Sequence, residues 1–136
     1  MDQYHPDIML FQEVTPHFLQ ILQKQPWIDA YDCSDDFSGS TVDPYGVLTL
    51  SKKSLDCKFQ FIPLPSNMER QLLICRTRSL DLNVVIGNVH LESLANSVLR
   101  ENNFKYVLKP SSKTQIGFLV EILIFAATKI SLEMVH

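Results

Sequence analysis

Residues 7–14, which read DIMLFQEV, decide the fold that the sequence predicts. A short apolar run that ends in polar residues is typical of a strand buried on both faces, here with Gln12 and Glu13 at its carboxyl end. Thr15 and Pro16 follow, and a hydroxyl residue before a proline predicts the first turn of a helix. The chain should therefore run from a buried strand directly into a helix.

The rest of the chain adds four predicted strands and a second predicted helix. The strands fall at 45–50, 57–64, 71–78 and 82–91, and the helix falls at 95–108. Residues 32–44 hold several carboxylates, but their turn-rich composition favours a solvated loop over a metal site. This order predicts a mixed α/β (α+β) fold, in which a sheet is covered by helices.

Composition bounds the class of protein. With 136 residues, of which 46% are apolar and 20% charged, the chain fits one globular domain. Its net charge of −3 argues against a polybasic nucleic-acid arm or membrane patch, but leaves room for a nuclease with an acidic metal site. The longest apolar run, 116–127, is shorter than the roughly 20 residues that span a bilayer, so no membrane contact is expected. Three cysteines without a C-x-x-C pair predict reduced thiols.

Three polar positions are candidates for chemistry. Glu13 ends an apolar strand and could be a ligand of Mg²⁺; the alternative is a carboxylate that simply faces solvent. Arg70 precedes a predicted strand and could bind a phosphate with two donors, or be an ordinary surface arginine. His90 alternates with Asn88 and Glu92 on one strand face, and could donate to a phosphate, transfer a proton, or be a structural histidine.

Ordered motifs resemble the endonuclease/exonuclease/phosphatase superfamily. Residues 6–14 resemble its "P-D-hydrophobic-L-Q-E-V" motif, and residues 90–93, HLES, resemble its "S/T-H-L-E-S" strand end. The segments 45–54, 63–66 and 68–73 follow the order of the Mg²⁺-dependent phosphodiesterases that remove tyrosyl adducts from DNA 5′ ends. The resemblance covers roughly residues 4–108.

The resemblance implies a role for each matching residue. Glu13 matches the metal ligand, with Mg²⁺ as the expected ion and Mn²⁺ as a substitute. Tyr45 matches an aromatic contact to the DNA 5′ end, and Arg70 matches a basic residue near the phosphate. His90 is implied to lie nearest the phosphate and is the candidate catalytic residue. The implied pocket around the 5′ end is also lined by Leu91, Glu92 and Ser93.

The implied partner is a DNA 5′ end that carries a covalent tyrosyl or peptide adduct, and the implied activity is hydrolysis in DNA repair. The expected compartment is therefore the nucleus, with the cytoplasm as a second location. In such a reaction a base-activated water attacks phosphorus while the metal and cationic donors stabilise the developing charge.

Several family elements have no counterpart in the sequence. They are the first-strand Asn, the Gly-Asp-x-Asn strand with its catalytic Asp, and the terminal Ser-Asp-His. Ala95 also stands where the family often has an arginine. Residues 1–108 are therefore interpreted as the N-terminal half of the family domain: a partial sandwich, mostly one β-sheet with helical cover, and catalytically impaired. Its exposed half-core could bind another protein.

Two other functions remain open on the sequence. One is a different phosphoesterase of the superfamily: a nuclease, a deadenylase, or a sugar or lipid phosphatase. The other is a non-catalytic fragment that binds a partner.

Residues 109–136 are predicted to be a divergent tail produced by a shift of reading frame. Residues 117–120, GFLV, are a plausible start of the family's next strand, but VEILIF follows from residue 120. That segment can be encoded as GTG GAG ATT TTA ATT TTT. Read from the third base, the same string encodes Gly-Asp-Phe-Asn-Phe, which contains the absent motif.

Overall fold

The computed structural model describes residues 5–79, 82–91, 97–107 and 117–122. Two α-helices and seven strands lie in this part of the chain, together with short 3₁₀ turns at Ile28–Ala30 and Lys53–Leu55. The helices are α1 (Pro16–Gln23) and α2 (Ser97–Val107). The strands are β1 (Ile8–Val14), β2 (Tyr31–Cys33), β3 (Gly46–Lys52), β4 (Lys58–Pro63), β5 (Gln71–Ser79), β6 (Leu82–Val89) and β7 (Gly117–Ile122).

The strands form two sheets, in the orders β1-β3-β2 and β4-β5-β6-β7. All strand pairs are antiparallel except β6 and β7, which run parallel. The predicted mixed fold class and partial sandwich are confirmed. The strands are, however, divided between two sheets, where the sequence predicted mostly one.

Helix α1 starts as its sequence predicts. The Thr15 side chain accepts a hydrogen bond of 3.3 Å from the Phe18 backbone N–H, and Pro16 occupies the first turn. Leu19 and Leu22 on the inner face of the helix are buried in a core cluster that also contains Leu48 of β3. The helix therefore covers the outer face of the three-stranded sheet.

Strand β1 differs from its prediction in burial. It forms an edge of its sheet, and residues 8–12 are half-buried, not buried on both faces. Among the described strands only β3 pairs with β1, so the apolar run of β1 reflects packing on one side more than burial on both faces.

Asn88 of β6 joins the two sheets. Its side-chain amide donates to the backbone oxygens of Phe11 at 3.1 Å and Leu48 at 2.9 Å, while its Oδ1 has no partner among the described residues. The Gln12 amide donates in the opposite direction, to the Val89 backbone oxygen at 2.8 Å. These side-chain bonds connect each sheet to backbone carbonyls of the other.

The expected exposed half-core is not seen in the described residues. Thr49 of β3 and Leu73 of β5 are both fully buried, and Cys75 is 1% exposed. The predicted exposure assumed that the chain contributes mostly one sheet. In the structure two sheets pack together, and each buries side chains of the other. None of the described helices is long and apolar enough to cross a membrane.

A smaller core and helix α2 lie against the four-stranded sheet. The core contains Leu64, Leu72, Val89 and Leu91. The buried Asn103 of α2 donates a hydrogen bond to the Pro65 backbone oxygen, which fixes the helix to the segment after β4. Strand β7 begins at the predicted family strand start and continues through Ile122.

Candidate functional site

The loop between β4 and β5, residues 64–70, delivers Arg70 to the site. Its two ends are tied together, because the Leu64 N–H donates to the Arg70 backbone oxygen at 3.0 Å. The Ser66 hydroxyl accepts from the backbone N–H groups of Met68 at 2.9 Å and Arg70 at 3.1 Å. Arg70 is only 6% exposed, so the interpretation as an ordinary surface arginine is wrong.

Arg70 contacts His90 at the end of β6. Its Nη1 lies 3.0 Å from His90 Nδ1, and His90 is 7% exposed. Burial lowers the pKa of His90, the Arg70 charge lowers it further, and Glu13 acts in the opposite direction. The ring therefore favours its neutral form at neutral pH.

Glu13 reaches the other side of the His90 ring from a distorted segment of β1. Its Oε1 lies 3.8 Å from His90 Nε2, and its side chain is 71% exposed. The pairing of β1 with β3 shifts register between Phe11 and Val14, and Glu13 has a φ of 53°, in the left-handed region. The irregularity lets Gln12 bond to the second sheet while the next residue, Glu13, approaches His90.

The left-handed backbone conformation of Glu13 should make the stability of the protein depend on which residue occupies this position. Because a side chain in the left-handed region costs about 1 kcal/mol or more, Glu13→Gly should be more stable than Glu13→Ala by about 1 kcal/mol. Denaturant unfolding of both variants measures the difference. At the exposed helical position Glu101, the glycine variant should instead be less stable than the alanine variant by about 1 kcal/mol. The same order at both positions would contradict the assignment of strain to Glu13.

A cavity of about 600 Å³ lies beside these residues and is lined by Arg70, His90 and Tyr45. The Arg70 guanidinium carbon lies 5.5 Å from the centre of the Tyr45 ring, within the range of a cation–π contact. Tyr45 is 40% exposed, so one part of its ring is available to a ligand. The cavity thus combines an aromatic surface with buried hydrogen-bond donors.

Asp35 binds Thr41 in the wall of this cavity and was missed by the sequence interpretation. The loop was predicted to be solvated, yet Asp35 is 2% exposed. Its carboxylate accepts from the N–H groups of Gly39 and Thr41, each at 3.0 Å, and from the Thr41 hydroxyl at 2.5 Å. A Cβ on Gly46 would lie 2.9 Å from the Thr41 backbone oxygen, so only glycine lets β3 start this close to the loop. The clue in the sequence was an Asp followed closely by Gly and Thr, a pattern of local side-chain capping.

The structure brings four of the predicted site residues together: Glu13, Tyr45, Arg70 and His90. Leu91 is buried in the small core and does not line the cavity. Asn88 and His90 both point toward the three-stranded sheet, where Asn88 bonds to Leu48 and His90 approaches Glu13, but Asn88 does not line the cavity. Glu92 and Ser93 lie outside the described residues.

The predicted metal centre is incomplete in the described part of the chain. No group of three or more His, Cys, Asp or Glu side chains there could hold a metal ion. Glu13 supplies one exposed carboxylate, which leaves most of the hydration shell of Mg²⁺ in place. The described residues therefore do not fit a tight protein-built metal site.

Comparisons with solved structures identify similar folds. The chain matches zebrafish TDP2, in a crystal structure complexed with single strand DNA product, with a TM-score of 0.60 and 28% identity. That match covers 75% of this chain and 40% of the zebrafish chain. TDP2 from Caenorhabditis elegans matches with a TM-score of 0.62 and 28% identity, over 75% of this chain and 31% of the nematode chain.

A second structure, of truncated C. elegans TDP2, is 30% identical over 66% of this chain and 35% of its own, with a TM-score of 0.55. No protein-family model matches the chain, and no curated protein is significantly similar to it. The chain spans less than half the length of each of these solved chains.

The two-sheet sandwich and the motifs at Glu13 and His90 define a partial fold of the endonuclease/exonuclease/phosphatase superfamily. Within that superfamily the fold is TDP2-like, as the order of segments in the sequence predicted.

Proposed function

We propose that this chain is a TDP2-like phosphodiesterase module that recognises a 5′-phosphotyrosyl DNA end and, with the residues present, does not hydrolyse it. The observation that carries the proposal is the convergence of Arg70, His90 and Tyr45 on one cavity. The three residues come from separate segments, each of which resembles the corresponding family motif. Zebrafish TDP2 bound to a DNA product, with its 28% identity, supports DNA as the ligand.

The side chains suit a phosphorylated aromatic ligand. Arg70 and His90 can donate hydrogen bonds to a phosphate oxygen, and such bonds are strong in a site shielded from water. Tyr45 offers an aromatic surface on which a base or a tyrosyl ring can stack. Bound Mg²⁺ would supply charge stabilisation, but the described residues provide only Glu13 to hold it.

Binding measurements with matched oligonucleotides test this proposal. By fluorescence anisotropy, the chain should bind 5′-phosphotyrosyl single-stranded DNA at least about tenfold tighter than the same strand with a 5′ hydroxyl, because a charge-assisted pair contributes about 1.5–3 kcal/mol. Arg70→Gln should remove this preference. Arg76→Gln, at an exposed position on β5, should retain it. Equal affinity for the two ends would contradict the proposal, and stronger binding of inositol phosphates would favour a different phosphoesterase of the superfamily.

We expect Mg²⁺ to bind weakly to this chain. A single carboxylate leaves nearly all hydration waters in place, so calorimetric titration should show no saturation in the micromolar range. The measurement needs chelator-treated protein, with Glu13→Gln as the reference. Tight, saturable binding that disappears in Glu13→Gln would show that other ligands complete the site.

The shift of reading frame after about residue 119 stays part of the proposal. Strand β7 supports it, since the strand begins where the family's strand is expected, and it carries Glu121 in register with Asn88. Translation of the genomic DNA in all frames tests it. A frame with Gly-Asp-x-Asn followed by Ser-Asp-His is the expected result, and its absence would make the tail native.

A DNA ligand further implies a nuclear protein, which localisation of a tagged chain can test.

A further inference from the structure

The contact between Arg70 and His90 determines where the imidazole carries its proton. Arginine has donors and no acceptor, and it stays charged at all accessible pH values. At 3.0 Å from Arg70 Nη1, His90 Nδ1 must therefore be the acceptor. A neutral imidazole that accepts at Nδ1 carries its proton at Nε2.

Arg70 is itself held in place for this contact. Ser66 binds its backbone N–H, the Tyr45 ring lies against its guanidinium, and Met68 Sδ lies 3.6 Å from Nη2. Its Nε is buried and has no hydrogen-bond partner among the described residues. These contacts hold the guanidinium with its Nη1 toward His90.

We infer that Arg70 is a positioning residue that fixes His90 as an Nε2–H donor toward an oxyanion in the cavity. This inference rests on the proposed function and adds the role of each group. With Nδ1 occupied and Nε2 protonated, His90 has no free lone pair with which to act as a general base. It donates to a phosphate oxygen instead. The exposed Glu13 carboxylate, 3.8 Å from Nε2, occupies the neighbourhood of that oxygen in the free protein.

The Glu13 carboxylate should also weaken the binding of an anion at His90 Nε2. Without divalent cations, an anion bound at Nε2 either displaces the Glu13 carboxylate or is repelled by its negative charge. Glu13→Gln should therefore bind inorganic phosphate several-fold more tightly than the parent chain in chelator, since like charges a few ångströms apart repel by about 1 kcal/mol or more.

Long-range ¹⁵N correlation spectra of the His90 ring test the inference directly. Near neutral pH, the parent chain should show an unprotonated Nδ1 and a protonated Nε2, and inorganic phosphate should shift Nε2 more than Nδ1. Arg70→Met, which removes every donor, should give a mixture of tautomers. Arg70→Lys should restore the Nε2–H form, because lysine also donates, and Arg76→Met should leave the spectrum unchanged.

A protonated Nδ1 in the parent chain, or an unchanged tautomer in Arg70→Met, would overturn the inference. If Arg70→Met fails to fold, the parent spectrum and Arg70→Lys still decide it. A ring whose Nε2 does not respond to phosphate would refute the donor role. The tautomer can be read without DNA, so a failure of oligonucleotide binding alone would count against the proposed function and not against Arg70 as the positioning residue.

Discussion

The chain should leave 5′-phosphotyrosyl single-stranded DNA essentially uncleaved, even with Mg²⁺ present. General acid/base help is typically worth about 10²- to 10⁴-fold in rate, and a preorganised electrostatic donor about 10²- to 10³-fold. The sequence contains neither a Gly-Asp-x-Asn nor a Ser-Asp-His segment to supply these contributions. Turnover should therefore fall at least about 10⁴-fold below that of an enzyme holding both.

The assay should follow release of tyrosine from a labelled oligonucleotide under single-turnover conditions. Glu13→Gln serves as the control for contaminating nuclease, because a contaminant is unaffected by this substitution. Robust Mg²⁺-dependent cleavage by the parent chain, lost in Glu13→Gln, would show that the chain assembles a working centre from other residues.

Asn88→Ala should strongly destabilise the fold. It removes the amide donor from two backbone carbonyls, those of Phe11 and Leu48, and leaves a small cavity between the sheets. Each lost hydrogen bond costs about 0.5–1.5 kcal/mol and the cavity adds to this cost, so the free energy of unfolding should fall by about 2–4 kcal/mol.

Urea unfolding monitored by circular dichroism measures this change. Asn102→Ala, at an exposed position in α2, is the matched control and should change stability by less than about 0.5 kcal/mol. A change of that small size for Asn88→Ala would contradict the role of Asn88 as the bond between the sheets.

Local sequence signals predicted the elements well. The Thr15–Pro16 pair fixed the start of α1, because an N-cap and a first-turn proline act within a few residues of each other. The strands β3 to β6 fall within a few residues of their predicted bounds. Glu13 and His90 were predicted as site residues because each ends a strand with a polar group, and the structure places their side chains 3.8 Å apart, while their roles stay predictions.

Other features depend on contacts far apart in the chain and had no local signal. Asn88 bonds to Phe11, 77 residues away, so its partner could not be read from alternation along β6. The left-handed backbone of Glu13 arises from the shifted pairing of β1 with β3. Asp35 looked solvated because charge and turn composition do not reveal that a carboxylate is satisfied by its own loop.

Amide chemical-shift mapping with a short 5′-phosphotyrosyl oligonucleotide tests most directly whether Arg70, His90 and Tyr45 form one DNA-end site. The predicted result is a saturable set of shifts centred on these three residues, which is absent with the 5′-hydroxyl strand and lost in Arg70→Gln. Shifts confined to another surface, such as the exposed side of α1 around Ile21, or no shifts at all, would contradict the account.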